Sequence, residues 1–343
     1  MHPEGIHIVS TGTALPGPPV DNSALARRFG ASDQWEEWIQ LFIGTATRHL
    51  SVDLDTGERR NSLADLAELA GRRALDSASL APEDIDLLVM GTATPDRLLP
   101  TTASVVAERL GIDDLPVFQL QSGCTGAFQA LSTAHQLLGT GAYRRALVLG
   151  GELNEKYFDL GQDFGAMRPE QLINYVLFGD GAGAAVLAAD PEGARAVVRH
   201  SSVRLTGLGR PAGQILEWFG PADRTSDRIP AVEDYKEIEA SVPRMSREIL
   251  DRLLSDLRWT PEDVHYVMPP QLSGRMTRKV LEALALPGAQ EISCVVRTGN
   301  TGNATPFFQL EQALDVMSPG DRALGISVES SKWIRAGLAI ERV

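Results

Sequence analysis

The sequence predicts an α/β protein made of two duplicated halves, and three pairs of matching segments indicate the duplication. The pairs follow the same order in each half and are separated by nearly one offset, 176 to 179 positions. In the first pair, PEDIDLLVM at 82–90 matches PEDVHYVM at 261–268, and in the second, GCTG at 123–126 matches GNTG at 299–302. In the third pair, residues 145–152, which begin with RALVL and end with a glutamate, match residues 322–329, which begin with RALGI and end with a glutamate. A constant offset across three matches indicates an internal repeat.

Helices and short apolar strands alternate in both halves. Apolar residues recur at helical spacing over residues 63–78 and 242–257, and each stretch leads into a short apolar strand. Strands of this kind are typical of a buried sheet that is covered by helices. We therefore predict two α/β halves, residues 1–190 and residues 191–343.

The two glycine turns are predicted to face a shared midline, because duplicated halves commonly pack with pseudo-symmetry. Cys124 lies in one turn, and Asn300 occupies the equivalent position in the other turn. Symmetry alone therefore predicts that these two residues line one cleft although they are distant in sequence.

The composition limits the classes of partner. The chain has 343 residues, 43% of them hydrophobic, and a formal net charge of −13. Such a chain can bury a large core, and its negative surface repels nucleic acid and anionic lipid. An acidic carrier protein needs a local basic patch to bind such a surface.

Two cysteines form no disulfide framework, no secretion signal is visible, and no apolar run reaches the roughly 18 residues of a membrane span. We expect a cytoplasmic protein without nucleic acid or membrane partners.

Cys124 is the candidate nucleophile. It follows the strand-like segment 117–120 and a glycine, and it precedes a helical segment, so it lies close to a helix N-terminus. The helix dipole there favours a thiolate, which predicts a lowered cysteine pKa, and the free N–H groups can hold the oxyanion of an attacked thioester. Most free cysteines are instead small buried core residues, and Cys294 in its apolar segment fits that description.

Four segments resemble the β-ketoacyl-[acyl-carrier-protein] synthase III family, and the resemblance covers almost the whole chain. They are the stretch from SDQW to RH at 32–49, GCTG at 123–126, FGDGAGAAVL at 178–187 and GNT at 299–301. FGDGAGA is the most specific of the four. It runs from one apolar strand into another and lacks the lysine of a phosphate-binding loop, so we reject a nucleotide site.

This resemblance implies a thiolase-like fold with five layers, αβαβα, and a homodimer. It also implies covalent acyl transfer, in which Cys124 receives an acyl group from the pantetheine thioester of an acyl carrier protein or of coenzyme A. The thioester is a substrate, and neither a cofactor nor a metal ion is implied.

One departure from the family concerns its catalytic histidine. In the segment that resembles the family's histidine motif, Gln271 and Arg275 match, but Pro270 occupies the histidine position. Proline has no side-chain donor for the enolate that forms when a malonyl group loses carbon dioxide. The sequence therefore disfavours decarboxylative condensation. Because Cys124 and Asn300 are retained, we expect transfer of a preformed acyl group to another acceptor.

His200 is the candidate for a replacement base. It lies in a strand-like segment at 197–202, which follows FGDGAGA and passes beside the cleft in the family. A hydroxyl or amine acceptor benefits from a base that takes its proton. A single strand histidine is more often a structural residue, so both interpretations of His200 stay open here.

The resemblance also indicates residues that bind the substrate. Trp38 is similar to the tryptophan that stacks on the adenine of coenzyme A, and Arg275 is placed to contact a pantetheine phosphate. Ser273 lies in the same segment, and Leu99 lies in the loop that lends a pocket wall to the partner subunit. Phe42 replaces the arginine that meets the phosphate of coenzyme A, which favours a carrier-protein donor.

The C-terminal segment 330–333 stands where the family has a glycine loop beside the second oxyanion donor. We expect its backbone N–H groups to take that role. We also expect the bulky Trp333 to reshape the acyl pocket.

The predicted function is an acyltransferase of secondary metabolism, which loads Cys124 from a carrier-protein or coenzyme A thioester and passes the acyl group to a hydroxyl, amine or thiol. There are two alternatives. One is a decarboxylating 3-oxoacyl synthase III in which another residue replaces the histidine, and the other is a catalytically silent partner subunit of a condensing enzyme. Loss of the histidine disfavours the first, and retention of Cys124 and Asn300 disfavours the second.

Overall fold

The computed structural model describes residues 5–31, 33–157, 160–161, 163–164, 167, 169–218 and 231–343. Ser32, the first residue of the SDQW segment, lies outside these ranges. The described strands are β1 (Ile6–Ala14), β2 (Val20–Asp21), β3 (Thr47–Arg48), β4 (Leu87–Gly91), β5 (Val117–Leu120), β6 (Arg145–Glu152), β7 (Gly181–Ala188), β8 (Ala196–Leu205), β9 (Gln214–Leu216), β10 (Ala231–Glu233), β11 (Tyr266–Met268), β12 (Gln290–Glu291), β13 (Arg322–Glu329) and β14 (Ile334–Arg342).

The described helices are α1 (Asn22–Phe29), α2 (Asp33–Phe42), α3 (Leu63–Ala78), α4 (Thr102–Leu110), α5 (Gly126–Gly139), α6 (Pro169–Leu177), α7 (Tyr235–Leu257), α8 (Gly274–Leu284), α9 (Val295–Thr298) and α10 (Thr305–Val316). In this described part of the chain, no helix has both the length and the apolar character needed to cross a bilayer.

Ten strands form one sheet, in the order β12-β11-β13-β14-β8-β1-β7-β6-β4-β5. Counted outward from the centre, the first half contributes β1-β7-β6-β4-β5 and the second half contributes β8-β14-β13-β11-β12. Pairing is parallel between β4 and both of its neighbours, and the equivalent strand β11 repeats this pattern. The two half-sheets join at the centre, where residues 6–8 of β1 pair antiparallel with residues 196–198 of β8.

The helices cover this sheet so that five layers result. α5 and α10 lie between the half-sheets, where Phe128 and Phe307 share one core with the inner faces of both. α3 and α4 cover the outer face of the first half-sheet, and α7 and α8 cover the outer face of the second. The predicted αβαβα fold of two duplicated halves is confirmed. The division into domains 1–190 and 191–343 stays a prediction.

The repeat extends to individual hydrogen bonds. The carboxylate of Asp86, just before β4, accepts from the N–H of Arg145 at 3.0 Å. In the second half, Nδ1 of His265 accepts from the N–H of Arg322, also at 3.0 Å. An aspartate and a histidine therefore satisfy the same backbone donor at one repeat position, since each offers an acceptor atom.

Gly183 of β7 shows why the FGDGAGA segment is rich in glycine. A Cβ atom at this position would lie 2.3 Å from Cβ of Phe307 on α10. We predict that Gly183→Ala lowers the free energy of unfolding by about 2 kcal/mol, because overpacking a tight core costs about 1–3 kcal/mol. Urea denaturation followed by circular dichroism measures the change.

The matched control is Gly139→Ala at the end of α5. A Cβ atom there meets nothing within 4 Å, and alanine favours a helical backbone over glycine. This variant is expected to be as stable as the wild type or slightly more stable. Equal stability of the two variants would contradict the packing argument.

Candidate active site

Cys124 and Asn300 line the same two cavities. The larger has a volume of about 290 Å³, close to the lower end of the range, roughly 300–1,000 Å³, that small-molecule sites occupy. Its walls come from α2, α6, β9, β10, α7 and α8. The smaller cavity, about 30 Å³, lies against Phe128 and Pro270. The fold therefore brings the two glycine turns to one cleft, as the repeat predicts.

Cys124 lies in a turn that close packing determines. One 3₁₀ turn, Gly123–Thr125, lies between strand β5 and helix α5. The carbonyl oxygen of Cys124 accepts a hydrogen bond from the hydroxyl of Ser327 on β13 at 2.8 Å. Gly123 has φ +39°, and a Cβ atom there would lie 1.9 Å from Oε2 of Glu329. Only glycine fits this position, since the backbone is left-handed and a buried carboxylate fills the side-chain space.

Asn300 is fixed by its backbone and by its own side-chain oxygen. Its N–H donates to the carbonyl of Leu177 at 2.8 Å, and its carbonyl accepts from the N–H of Gly179 at 3.1 Å. Oδ1 accepts from the N–H of Gly302 at 3.0 Å. Because Oδ1 is occupied and the side chain lines both cavities, Nδ2 is the atom that remains to donate to a bound carbonyl group.

Glu329, at the end of β13, is in direct contact with Cys124. Its side chain is only 1% exposed. One carboxylate oxygen accepts from the N–H of Cys124, and the other accepts from the N–H of Ser331 at 2.7 Å. Both backbone groups that the sequence predicts as oxyanion donors, the N–H of Cys124 and one in the segment 330–333, are therefore occupied by this carboxylate.

The acidity of Cys124 follows from these surroundings. Burial raises the pKa of the thiol well above its ordinary value, and the negative charges of Glu329 and Glu152 and a side-chain hydrogen bond with Glu329 raise it further. The predicted lowering of this pKa by a helix N-terminus is wrong. Burial, together with the charge of the contacting carboxylate, outweighs the partial charge of the helix end, and the N–H of Cys124 is already bonded to Glu329.

Glu152 is the counterpart of Glu329 in the repeat, and its carboxylate contacts the glycine turn of the second half. It accepts from the N–H of Ala93 at 2.9 Å, from the hydroxyl of Thr94 at 2.6 Å, and from the side-chain amide of Asn303 beside the second glycine turn. Burial raises its pKa in spite of these hydrogen bonds. The repeat contains both glutamates as matching residues, so the sequence carried a signal for their importance, but not for their contacts.

Three family descriptions match the chain. They are 3-oxoacyl-[acyl-carrier-protein (ACP)] synthase III over residues 118–205, its C-terminal part over residues 254–330, and the thiolase N-terminal domain over residues 42–157. Beta-ketoacyl-[acyl-carrier-protein] synthase III 3 of Streptomyces coelicolor is 32% identical over 325 residues, which are 92% of this chain and 91% of that protein. The chain belongs to the β-ketoacyl-[acyl-carrier-protein] synthase III family.

Solved structures of this synthase III family and of related enzymes show the same fold. The structure described as "AbyA1 - tetronic acid condensing enzyme" is 55% identical, with a TM-score of 0.95, and the alignment covers 98% of this chain and 99% of that one. The 3-oxoacyl-(acyl carrier protein) synthase III of Pseudomonas aeruginosa is 25% identical, with a TM-score of 0.83 and coverage of 99% and 98%. The thiolase-like fold is thereby confirmed.

Pro270 lies where a synthase III enzyme is expected to have its histidine. It lines the smaller cavity together with Cys124 and Asn300. The neighbouring residue Gln271 has a structural role, because Oε1 accepts from the N–H groups of Cys294 and residue 295 at 2.9 Å each. The structure therefore places a proline at the cleft without a side-chain group that can hold or move a proton.

The predicted substrate-binding residues are divided between two places. Trp38, Ser273 and Arg275 line the larger cavity with Cys124. Leu99 does not line it and is 82% exposed in a separate loop. A role for Leu99 in substrate binding therefore stays a prediction that requires the partner subunit.

His200 is not brought to the cleft. Arg199 is an extra residue in the pairing of β8 with β14, and this bulge reverses the alternation of side chains along the strand. Val198 consequently faces the core between the half-sheets, whereas Nε2 of His200 lies 3.3 Å from Oδ2 of Asp256 on α7. His200 lines neither cavity. Its predicted role as the base disagrees with this placement.

Trp333 does not reshape the acyl pocket, contrary to the prediction. Its ring is buried in the core beneath α7 and α8, and Nε1 donates to the carbonyl of Pro211 at 2.6 Å. Ser330, at the start of the same segment, does line the larger cavity.

The raised pKa of Cys124 predicts slow alkylation at neutral pH. Iodoacetamide reacts with the thiolate, so its reaction with Cys124 should be slower at pH 7.5 than its reaction with a free cysteine peptide. The rate should still be increasing above pH 9. Peptide mass spectrometry measures the rate, and Cys124→Ala identifies any background from Cys294. A rate that reaches a plateau below pH 8 would contradict the raised pKa.

Proposed function

We propose that this member of the synthase III family is an acyltransferase. It loads Cys124 from a pantetheine thioester and passes the acyl group to a hydroxyl, without decarboxylation. The observation that carries the proposal is the pairing of Cys124 with Asn300 at one cleft in which Pro270 replaces the expected histidine. The thiol is a nucleophile for a thioester, and the Asn300 amide is a donor for the carbonyl oxygen. Pro270 offers nothing to stabilise an enolate.

The similarity to AbyA1, a tetronic acid condensing enzyme, supports a hydroxyl acceptor. A tetronic acid is a five-membered cyclic ester, so its ring contains an acyl group that is bonded to oxygen. We infer that this protein acts in a secondary-metabolite pathway on an acceptor that carries a hydroxyl group, and that its product is an ester of this ring class.

A second candidate is carbon–carbon condensation without loss of carbon dioxide. The description of AbyA1 as a condensing enzyme favours it, as does the family to which the chain belongs. In this reaction the acceptor is a carbon acid, and the acyl group on Cys124 is its electrophile. A silent subunit is less well supported, since it needs neither the thiol nor the amide.

The donor and the assembly state are also proposals. We propose an acyl carrier protein as donor, a homodimer, and a cytoplasmic location. Leu98 and Leu99 are 63% and 82% exposed in one protomer, which fits an apolar loop that a partner subunit covers. Arg275 at the cavity provides a positive charge for the phosphopantetheine group of a carrier on this acidic protein.

Incubation with acyl-carrier-protein thioesters is predicted to give a covalent acyl adduct on the wild type and none on Cys124→Ala. Intact-protein mass spectrometry detects the adduct, and Cys294→Ala is the control that should retain it. A malonyl donor is expected to give an intact malonyl adduct, because Pro270 replaces the histidine that is expected to stabilise the enolate, and the Asn300 amide is left without this second donor. Release of carbon dioxide from malonyl, or an adduct on Cys124→Ala, would contradict the proposal.

Arg275→Ala is predicted to raise KM for a carrier-protein thioester about tenfold, the loss expected for one hydrogen bond to a charged group. Acylation by an N-acetylcysteamine thioester, which has no phosphate, should not change. Lys279→Ala is the matched control, because Lys279 lies one turn further along α8 and contacts the same Glu239. Equal effects on both donors would contradict a phosphate contact.

A further inference from the structure

The acyl-loading step needs a proton acceptor. Attack by a thiol on a thioester releases the proton of Sγ, and a cysteine that is mainly in its thiol form at neutral pH loses this proton only to a base. Pro270, which stands at the position expected for the family's histidine, has no group that can accept this proton. The acceptor must therefore be a different group in contact with Cys124.

We propose that Glu329 is the general base of this site, a catalytic role that rests on the proposed function of Cys124. Its carboxylate is buried, and one oxygen, Oε2, accepts from the N–H of Cys124. A Cβ atom on the preceding Gly123 would lie 1.9 Å from the same oxygen, so the carboxylate lies directly against the cysteine turn. The position of its backbone on β13 is fixed by the neighbouring Ser327, whose hydroxyl donates to the carbonyl of Cys124. Glu329 thus reaches the backbone of the nucleophilic residue from the end of a fixed strand.

Other carboxylates near the cleft are engaged elsewhere. Glu233 accepts from the side-chain amide of Gln214, and Glu239 forms an ion pair with Lys279, so both are held at the wall of the larger cavity. Glu152 accepts from the N–H of Ala93 and from the hydroxyl of Thr94. Among the described carboxylates, only Glu329 has a hydrogen bond to Cys124.

The proton moves in both directions during one turnover. In the loading step, Sγ bonds to the thioester carbonyl carbon as its proton passes to Glu329; the bond from carbon to the pantetheine sulfur then breaks, and that sulfur takes the proton from Glu329. In the second step the acceptor oxygen bonds to the acyl carbon and its proton passes to Glu329. The bond from carbon to Sγ breaks, and Cys124 regains a proton.

Proton transfer to Glu329 also releases the oxyanion donors. Hydrogen bonds to a carboxylate are about twice as strong as those to a neutral acceptor. When Glu329 is protonated, its hold on the N–H groups of Cys124 and Ser331 weakens. These N–H groups then become available to the oxygen of the tetrahedral intermediate. The same proton transfer therefore deprotonates the thiol and frees the two N–H groups that bind the oxyanion.

The test compares two reactions of Cys124 in Glu329→Gln. Single-turnover acylation by an acyl-carrier-protein thioester should be about 100-fold slower or more, the usual effect of losing a general base. Iodoacetamide alkylation at pH 7.5 should instead be faster by about threefold or more, because removal of a neighbouring negative charge favours the thiolate. Unfolding exposes the thiol and also speeds alkylation, so opposite changes report lost base catalysis only if the circular dichroism spectrum and the urea midpoint of Glu329→Gln match those of the wild type.

Glu155→Gln is the control, since it removes another buried carboxylate, one that contacts Arg59 and lines neither cavity. Its acylation rate should stay within about fivefold of the wild type, because no proton-transfer group is lost. In Glu329→Ala, added formate should restore part of the acylation rate by occupying the vacated space. Wild-type acylation at Cys124 together with unchanged acylation in Glu329→Gln would overturn the role of Glu329 alone. Absence of acylation in the wild type would overturn the proposed function itself.

Discussion

Glu152 and Glu329 end equivalent strands of the two halves, and each carboxylate reaches across the midline to the glycine turn of the other half. A buried carboxylate is costly unless several donors surround it. Asn303, beside one turn, donates to Glu152, and Cys124, in the other turn, donates to Glu329, which also accepts from the nearby N–H of Ser331. The two turns are consequently held in one arrangement relative to the sheet, and the cleft forms where they meet.

The contacts of the two glutamates with the opposite turns explain why the turns contain glycine and why Cys124 stays protonated. A Cβ atom at Gly123 would strike Glu329 at 1.9 Å, and one at Gly302 would strike Glu152 at 2.5 Å. The small residues therefore make room for carboxylates as well as for a substrate. Because a carboxylate replaces the positive environment that usually activates cysteine, Cys124 is kept as a thiol until an acceptor for its proton acts. Activation thus depends on proton transfer at the moment of attack.

The repeat was sufficient to predict two duplicated α/β halves and the meeting of Cys124 with Asn300. The five layers and the cavity residues Trp38 and Arg275 were predicted from the resemblance to the family. The orientation of His200 could not be predicted, because a single bulged residue reverses which face of β8 it occupies and no sequence pattern marks the bulge. The contact of Glu329 with Cys124 joins residues 205 positions apart. Local propensity carries no information about such a contact.

A crystal structure of the enzyme trapped as its acyl-Cys124 intermediate is the most direct test of this account. We predict that the acyl carbonyl oxygen accepts from the N–H of Cys124 and that the Glu329 carboxyl group has turned away from this N–H, toward the space where the acceptor hydroxyl binds. An acyl oxygen bound elsewhere, with Glu329 still bonded to the N–H groups of Cys124 and Ser331, would contradict the account.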